Sequence, residues 1–327
     1  VLRVHVRRFE LAAPFTITRF TVSAIEPVWV EVHAFGCIGR GEANRLDYEG
    51  ETSASLVQQI EAARALVQRL PAWDELRAAM PAGAARNAVA AALIDLDAKR
   101  HGVRAWQQLG LPAPEGLRTW QTIGLAAPAA MAASAAGPNA RYPALKIKLG
   151  RFAQDIERLE AVRAARPEAR LIVDANAGWS IHEWRLFLPH AVRLGVEAVE
   201  QPLPPGEDAA LAAEPPSPLP LIADESVGDV DSLAALPAGY AAINVKLDKA
   251  GGLPEALRLA RAARERGWEV MVGNMMGSSL AIAPAMLLAP LARWLDLDGP
   301  LDLLADCEHP IRYDADRMSP PEAALWG

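Results

Sequence analysis

The chain has 327 residues, 51% hydrophobic and 22% charged, with a formal net charge of −7. The acidic balance and the lack of any Lys/Arg run leave no footprint for nucleic acid, and no apolar stretch reaches the roughly 18 residues of a membrane span. Cys37 and Cys307 are too few for a disulfide framework or a Cys-ligated zinc site. The composition is that of a globular protein, long enough for two domains or for a barrel that takes most of the chain.

Val1-Leu2-Arg3-Val4-His5-Val6 alternates as a strand rather than as a signal peptide, so a reduced cytoplasm is expected. Residues 1–45 continue in strands: Val28 to His33 alternates, Ala34-Phe35-Gly36-Cys37 turns, and Ile38 to Ala43 returns. Strand signals vanish over 53–113, where Ser55 to Ile60 and Ala84 to Leu109 carry helical spacing in Ala-rich sequence. Pro112, Pro114 and Gly116 mark a linker.

From about 117 the pattern alternates strand and helix. Strands are predicted at 118–123, 144–149, 170–174, 196–200, 220–224, 241–246, 268–273 and 293–297. Helices are predicted between them, at Phe152–Ala165, Ile181–Leu194 and Pro254–Arg266 among others. Eight parallel strands with crossover helices indicate a closed (β/α) barrel. The competitor, an open doubly wound sheet, lacks a G-x-G-x-x-G after the first strand. Residues 306–327 are Pro-rich and irregular and are expected to pack back on the N-terminal portion.

Charges recur at the strand ends: Lys146 and Lys148, Asp174, Glu200, Asp224, then Lys246. The intervals are 26 (148 to 174), 26 (174 to 200), 24 (200 to 224) and 22 (224 to 246) residues, about one strand and one crossover each. In a barrel these ends converge on one face, where barrels keep their active sites. Asp174, Glu200 and Asp224 are hard oxygen donors suited to Mg²⁺, with Mn²⁺ as the alternative. Each taken alone would read as a solvated charge or, for Asp224, a helix cap. Three on consecutive buried strands are costly without a partner.

Lys146 and Lys148 point to one side of their strand, and their mutual repulsion is expected to lower a lysine pKa toward the range of a general base. An edge Lys-x-Lys is the plain alternative. Lys246 lies four strands further round, so a substrate between Lys148 and Lys246 meets an amine on each face. A divalent cation on a substrate carboxylate stabilises the enediolate formed by α-proton loss, and two bases permit removal from one side and return from the other. The reaction expected is 1,1-proton transfer.

Several stretches carry a resemblance to the enolase superfamily, in its muconate-lactonizing subgroup. They are Gly39-Arg40-Gly41-Glu42-Ala43, Lys146-Ile147-Lys148, Asp174-Ala175-Asn176-Ala177-Gly178-Trp179, Glu200-Gln201-Pro202, Ala223-Asp224-Glu225-Ser226 and Asn244-Val245-Lys246-Leu247-Asp248-Lys249-Ala250-Gly251-Gly252. The resemblance spans nearly the whole chain. It implies an α/β protein: a C-terminal modified (β/α) TIM-type barrel over 116–305, with an N-terminal α+β capping domain over 1–115. It implies Mg²⁺ on Asp174, Glu200 and Asp224, no organic cofactor, and Lys148 and Lys246 as the acid/base pair. Lys146 would orient the substrate carboxylate, with Asn176 and Glu225 as partners behind the ligands.

Asp296-Leu297-Asp298 resembles the Asp-x-Asp with which dipeptide epimerases bind a free α-ammonium, although the pair would also serve to cap a helix near Pro300. Phe15 to Arg19 and Arg45 to Thr52 resemble the loops that close over such pockets, and Arg19 would meet a carboxylate of the substrate or stay solvated. Asn274 and Gly277 depart from the Cys-Met-x-Glu-Ser of Ala-Glu epimerases, which leaves the side-chain preference open. The implied function is an L-Ala-D/L-Glu type dipeptide epimerase in murein-peptide recycling, with homo-oligomerisation left open. N-acylamino acid racemase, o-succinylbenzoate synthase and muconate cycloisomerase are the rivals within the superfamily. A non-catalytic metal- and ligand-binding barrel is the rival from another class, disfavoured by the two intact lysines.

Overall fold

The computed structural model describes residues 1–327. The first strands are β1 (Leu2–Val6), β2 (Phe9–Thr16), β3 (Thr21–Ile25), β4 (Val28–Ala34) and β5 (Cys37–Ala43). β1, β4 and β5 form an antiparallel sheet and β2–β3 a separate hairpin. Phe35 and Gly36 turn β4 into β5 with φ of 53° and 74°, the left-handed pair that suits a two-residue hairpin loop. The helix Ala84–His101 lies on β5 at very short range: a Cβ on Gly39 would fall 2.0 Å from the carbonyl oxygen of Ala92, and one on Gly41 2.0 Å from that of Ala88. Four helical residues rise about 6 Å and two strand residues about 6.6 Å, so the two glycines step along the helix in register with Ala88 and Ala92. The helical stretch expected to reach Leu109 is interrupted: Gly102, at φ 65°, ends the long helix and a short one resumes at Ala105–Gln108.

All eight predicted barrel strands are present: β6 (Gln121–Ile123), β7 (Ala144–Lys148), β8 (Arg170–Asp174), β9 (Val196–Glu200), β10 (Leu221–Ala223), β11 (Ala242–Val245), β12 (Glu269–Gly273) and β13 (Trp294–Asp296). They pair in parallel in chain order from β6 to β13. No ladder joins β13 to β6. The ring closes through single bonds instead, the N–H of Trp120 donating to the carbonyl of Leu295 (2.8 Å) and that of Leu297 to Thr119 Oγ1 (2.9 Å).

Period-two alternation sorts the interior into layers. Trp120, Ala144, Ile172, Ala198, Ile222, Ala242, Met271 and Trp294, one from or beside each strand, pack as an apolar plug. Two residues further along come Thr122, Lys146, Asp174, Glu200, Asp224, Asn244, Gly273 and Asp296. The polar layer therefore sits directly on an apolar floor.

Tight joints hold the N-terminal strands and helices on the barrel. Arg86 donates to the carbonyls of Ala250 and Gly251 (2.9 Å each), and buried Asp248 accepts from the N–H of Asn44 (3.2 Å) and Asn87 Nδ2 (2.9 Å). The C-terminal residues fold back on the long helix, where Trp326 Nε1 donates to the carbonyl of Ala91 (3.1 Å) and the N–H of Gly327 to Asp95 (2.6 Å). No helix is long and apolar enough to cross a membrane.

Candidate active site

A cavity opens at the C-terminal ends of the barrel strands, walled by the barrel on one side and the N-terminal loops on the other. Lys148, Asn176, Asp224, Glu225, Lys246, Asp296 and Asp298 line it, together with Arg19, Tyr48 and Asp302. The predicted cap loops are both there: Phe15, Ile17 and Phe20 come from the β2–β3 hairpin, and Arg45 and Asp47 from the loop after β5. Thr18 Oγ1 docks the hairpin tip by donating to the carbonyl of Leu149 (2.6 Å), next to Lys148.

Lys148 and Lys246 stand on β7 and just after β11, four strands apart in the ring, and both reach the cavity. Each amine lies 2.6 Å from a carboxylate: Lys148 from Asp174 and Lys246 from Asp224. Lys146 is different. It is 1% exposed, lies below the cavity, and its Nζ is 2.7 Å from Glu200, 2.7 Å from Asp296 and 3.3 Å from Asp174. The expectation that repulsion between Lys146 and Lys148 lowers a lysine pKa is overturned for Lys146, and Lys246 shifts the same way. Burial acts to lower both, but Asp296, Glu200 and Asp174 around Lys146, and Asp224 and Glu200 around Lys246, outweigh it and push the pKa up.

The carboxylates divide in the same way. Burial works to raise Asp174 and Asp224, yet Lys148 and Lys146 hold Asp174 low at about 2, and Lys246 and Lys249 hold Asp224 below the usual carboxylate range. Glu200 is pushed up to about 7 by burial and by Asp174. Its Oε1 accepts from Asn244 Nδ2 (2.7 Å), a side chain that fills the space left by Gly273. Its Oε2 is buried and, although 2.7 Å from Lys146, lacks the geometry of a hydrogen bond.

Lys148 pairs with one oxygen of Asp174 and Lys246 with one oxygen of Asp224. The donor set fits a hard divalent ion: Asp174, Glu200 and Asp224 are 0%, 0% and 2% exposed, all oxygen donors, with Glu200 Oε2 buried outside any hydrogen bond.

Asp296 and Asp298 line the cavity at the end of β13, where Asp296 shares the Lys146 amine with Glu200. Asp298 starts a short 3₁₀ turn (Gly299–Asp302), but its side chain does not cap it; one oxygen accepts instead from the N–H of Thr122 (2.6 Å). Burial and Asp296 push Asp298 up to about 6, and burial with Asp298 pushes Asp302 up to about 8. Lys146 pairs with Asp296 here, and Asp298 and Asp302 have no salt-bridge partner. Arg19 Nη2 pairs with Glu225 (2.5 Å), and Asn176 donates its N–H to Asp174 (2.8 Å). Gly277 has a steric cause: a Cβ there would lie 2.6 Å from Asn44 Nδ2 and 2.8 Å from Glu42, a buried carboxylate that also accepts from Trp29 and from Ser278.

Lys249, Asn244 and Asp302 were not singled out as site residues. Lys249 is buried and donates to Asp224 Oδ1 (2.6 Å), to the Asp224 carbonyl (2.6 Å) and to the Asn244 carbonyl (3.0 Å). It follows Lys246 by one turn of a short helix (Leu247–Ala250), so a search confined to strand ends passes over it. Asn244 was readable, being two residues before Lys246 and therefore on the same face of β11.

Residues 1–110 match the family model for the mandelate racemase / muconate lactonizing enzyme N-terminal domain, and residues 124–323 that for the enolase C-terminal domain-like fold. The chain is 39% identical over 313 residues to the L-Ala-D/L-Glu epimerase of Escherichia coli, covering 95% of this chain and 97% of that protein. It is also 39% identical to an N-acetyl-D-glutamate racemase of Pseudoalteromonas, covering 86% and 88%. The structure superimposes with a TM-score of 0.96 and 44% identity, over 100% of this chain and 99% of the other, on an Agrobacterium tumefaciens enolase family member with homology to dipeptide epimerases, which holds sodium and L-Ala-L-Glu. A dipeptide epimerase of Methylococcus capsulatus in complex with Mg and L-Arg-D-Lys superimposes with a TM-score of 0.87 at 30% identity, over 98% and 97%. Matched along both domains by these models and along most of its length by epimerases and racemases, the chain belongs to the mandelate racemase/muconate lactonizing enzyme family of the enolase superfamily and is an isomerase.

Proposed function

We propose that the protein is a Mg²⁺-dependent dipeptide epimerase that inverts the C-terminal residue of an L-Ala-D/L-Glu type substrate, as in recycling of cell-wall peptides in the cytoplasm. The observation that carries this reading is the pair of lysines four strands apart across a cavity that ends in Asp296, Asp298 and Asp302. A free α-ammonium fits that acidic end, where Asp296 is paired with Lys146 but Asp298 and Asp302 are buried without a salt-bridge partner. An N-acyl substrate offers no such charge, so the racemase reading suggested by the Pseudoalteromonas relative is disfavoured.

Asp174, Glu200 and Asp224 would hold the metal, which when bound draws charge from the substrate carboxylate and acidifies the α-carbon. Lys148 and Lys246 then act on opposite faces, one taking the α-proton and the other returning it. With a cation on Asp174 and Asp224, Lys148 and Lys246, each now 2.6 Å from one of those carboxylates, would turn to the substrate, one as the base and the other as the acid. Lys146 stays below as a fixed positive charge between Glu200 and Asp296, and Arg19, at the cavity wall, meets an acidic side chain. The relatives named for Ala-Glu epimerisation and for N-acetylglutamate racemisation both support glutamate as the residue inverted.

Proton NMR in D₂O on each pure epimer tests the mechanism. Lys246→Ala should lose net epimerisation while Lys148 still exchanges the α-hydrogen of one epimer, and Lys148→Ala should show exchange of the other epimer only. If one substitution stopped exchange of both epimers and the other spared epimerisation, a single base would be at work.

A further inference from the structure

The ladder between β9 and β10 ends early. Its last pair is Ile222 with Glu200, and β10 stops at Ala223. Asp224, the residue that matters, lies just beyond the strand, and its main-chain N–H is taken by a side chain: it donates to Gln201 Oε1 at 2.8 Å. Gln201 is itself fully buried, follows Glu200 directly, and holds a φ of 33° that few side-chain-bearing residues adopt. It thus joins one carboxylate strand to the next where the backbone no longer does.

The amide cannot be turned round. Oε1 faces two main-chain N–H groups, those of Asp224 (2.8 Å) and Ser226 (3.3 Å), which only donate. Nε2 faces three oxygens: the carbonyl of Leu203 (2.8 Å), Ser226 Oγ (2.8 Å) and Tyr240 Oη (3.1 Å). Those two hydroxyls can accept from Gln201 because both give their own protons to Asp208 Oδ2, at 2.6 Å and 3.1 Å. Asp208 is 4% exposed, sits in the loop after β9 outside the cavity, and has its other oxygen on the N–H of Gly206 (3.1 Å). By accepting both hydroxyl protons, Asp208 Oδ2 turns the lone pairs of Ser226 and Tyr240 toward Gln201 Nε2 and so fixes the amide whose Oε1 holds Asp224.

We propose that Gln201, oriented by Asp208 through Ser226 and Tyr240, is a positioning residue that sets the spacing of Glu200 and Asp224 for a divalent ion. This rests on the metal reading given above. Partners one step behind metal ligands are worth about 10- to 100-fold in metal affinity.

The test is direct Mn²⁺ binding, read from the free-ion electron paramagnetic resonance signal, on wild type, Gln201→Met and Asp208→Asn. Methionine keeps the volume and removes the acceptor. Asparagine sits away from the ligands and can donate, which breaks the proton order, so it carries the test should Gln201→Met not fold. The expected result is a Kd raised about 10- to 100-fold by Gln201→Met and less by Asp208→Asn, with kcat recovering toward wild type at saturating Mn²⁺. Wild-type Kd in both variants would overturn the inference and leave the metal reading standing. Failure of the wild type to bind Mn²⁺ would overturn both.

Discussion

Asp298 takes the N–H of Thr122 on one oxygen at 2.6 Å and lies beside Asp296, while its other oxygen is left for the cavity. Burial and that neighbour raise its pKa from 3.8 to about 6. A carboxyl whose folded pKa is raised binds its proton more tightly in the folded state, so ionising it weakens the fold. The penalty is absent below the unfolded value, grows as pH rises toward 6, and is complete above it. Two pKa units at 1.36 kcal/mol each set a ceiling of about 3 kcal/mol. Asp298→Asn keeps an acceptor for Thr122 and removes the charge. At about 2.1 cal/mol/K per residue, 1 kcal/mol moves the midpoint of a chain this long by about 1.5 °C, so the variant should melt up to about 4 °C higher than wild type at pH 8. The difference should disappear near pH 4. The same change removes a charge-assisted contact to the substrate ammonium, worth about 1.5–3 kcal/mol, so kcat/KM for L-Ala-L-Glu should fall about 10- to 150-fold while N-acetyl-glutamate is spared. Melting curves at pH 4, 6 and 8 and initial rates on both substrates decide it. Equal or lower stability at pH 8 with an unchanged kcat/KM for the dipeptide would refute the assignment of Asp298 to the ammonium.

Chelated protein should lose turnover and regain it with Mg²⁺, and Asp224→Asn should lose activity far more than stability; full activity in excess chelator would exclude the metal. Lys249→Met leaves the Oδ1 and carbonyl of Asp224 without a donor in a buried site. A loss of about 3–5 kcal/mol in urea unfolding is expected, and a loss below 1 kcal/mol would show that Asp224 does not depend on it. Gly41→Ala puts a Cβ 2.0 Å from the carbonyl of Ala88; the long helix must back away from β5, costing about 1–3 kcal/mol by the same measurement.

The order of β-strands, the two amines and the three carboxylates could be read from residues alone, for a physical reason. Alternation has a period of two and crossovers a nearly constant length, so a charge at each strand tip must land on one face once the strands run parallel. Gly39 and Gly41 were visible as letters but not as a contact, since their meaning depends on how close the helix Ala84–His101 comes to β5. Strand geometry puts both lysines of β7 on one side, and the resemblance alone gave them different roles. The barrel's interior supplies the physical difference, putting Lys146 in the layer of Asp174, Glu200 and Asp296 and leaving Lys148 one step higher at the cavity. The sign of the lysine pKa shift likewise needed the tertiary structure. A strand carries the repulsion between its own two amines, but the carboxylates that outweigh it arrive from other strands, and Coulomb energy depends on their distance in space rather than in sequence.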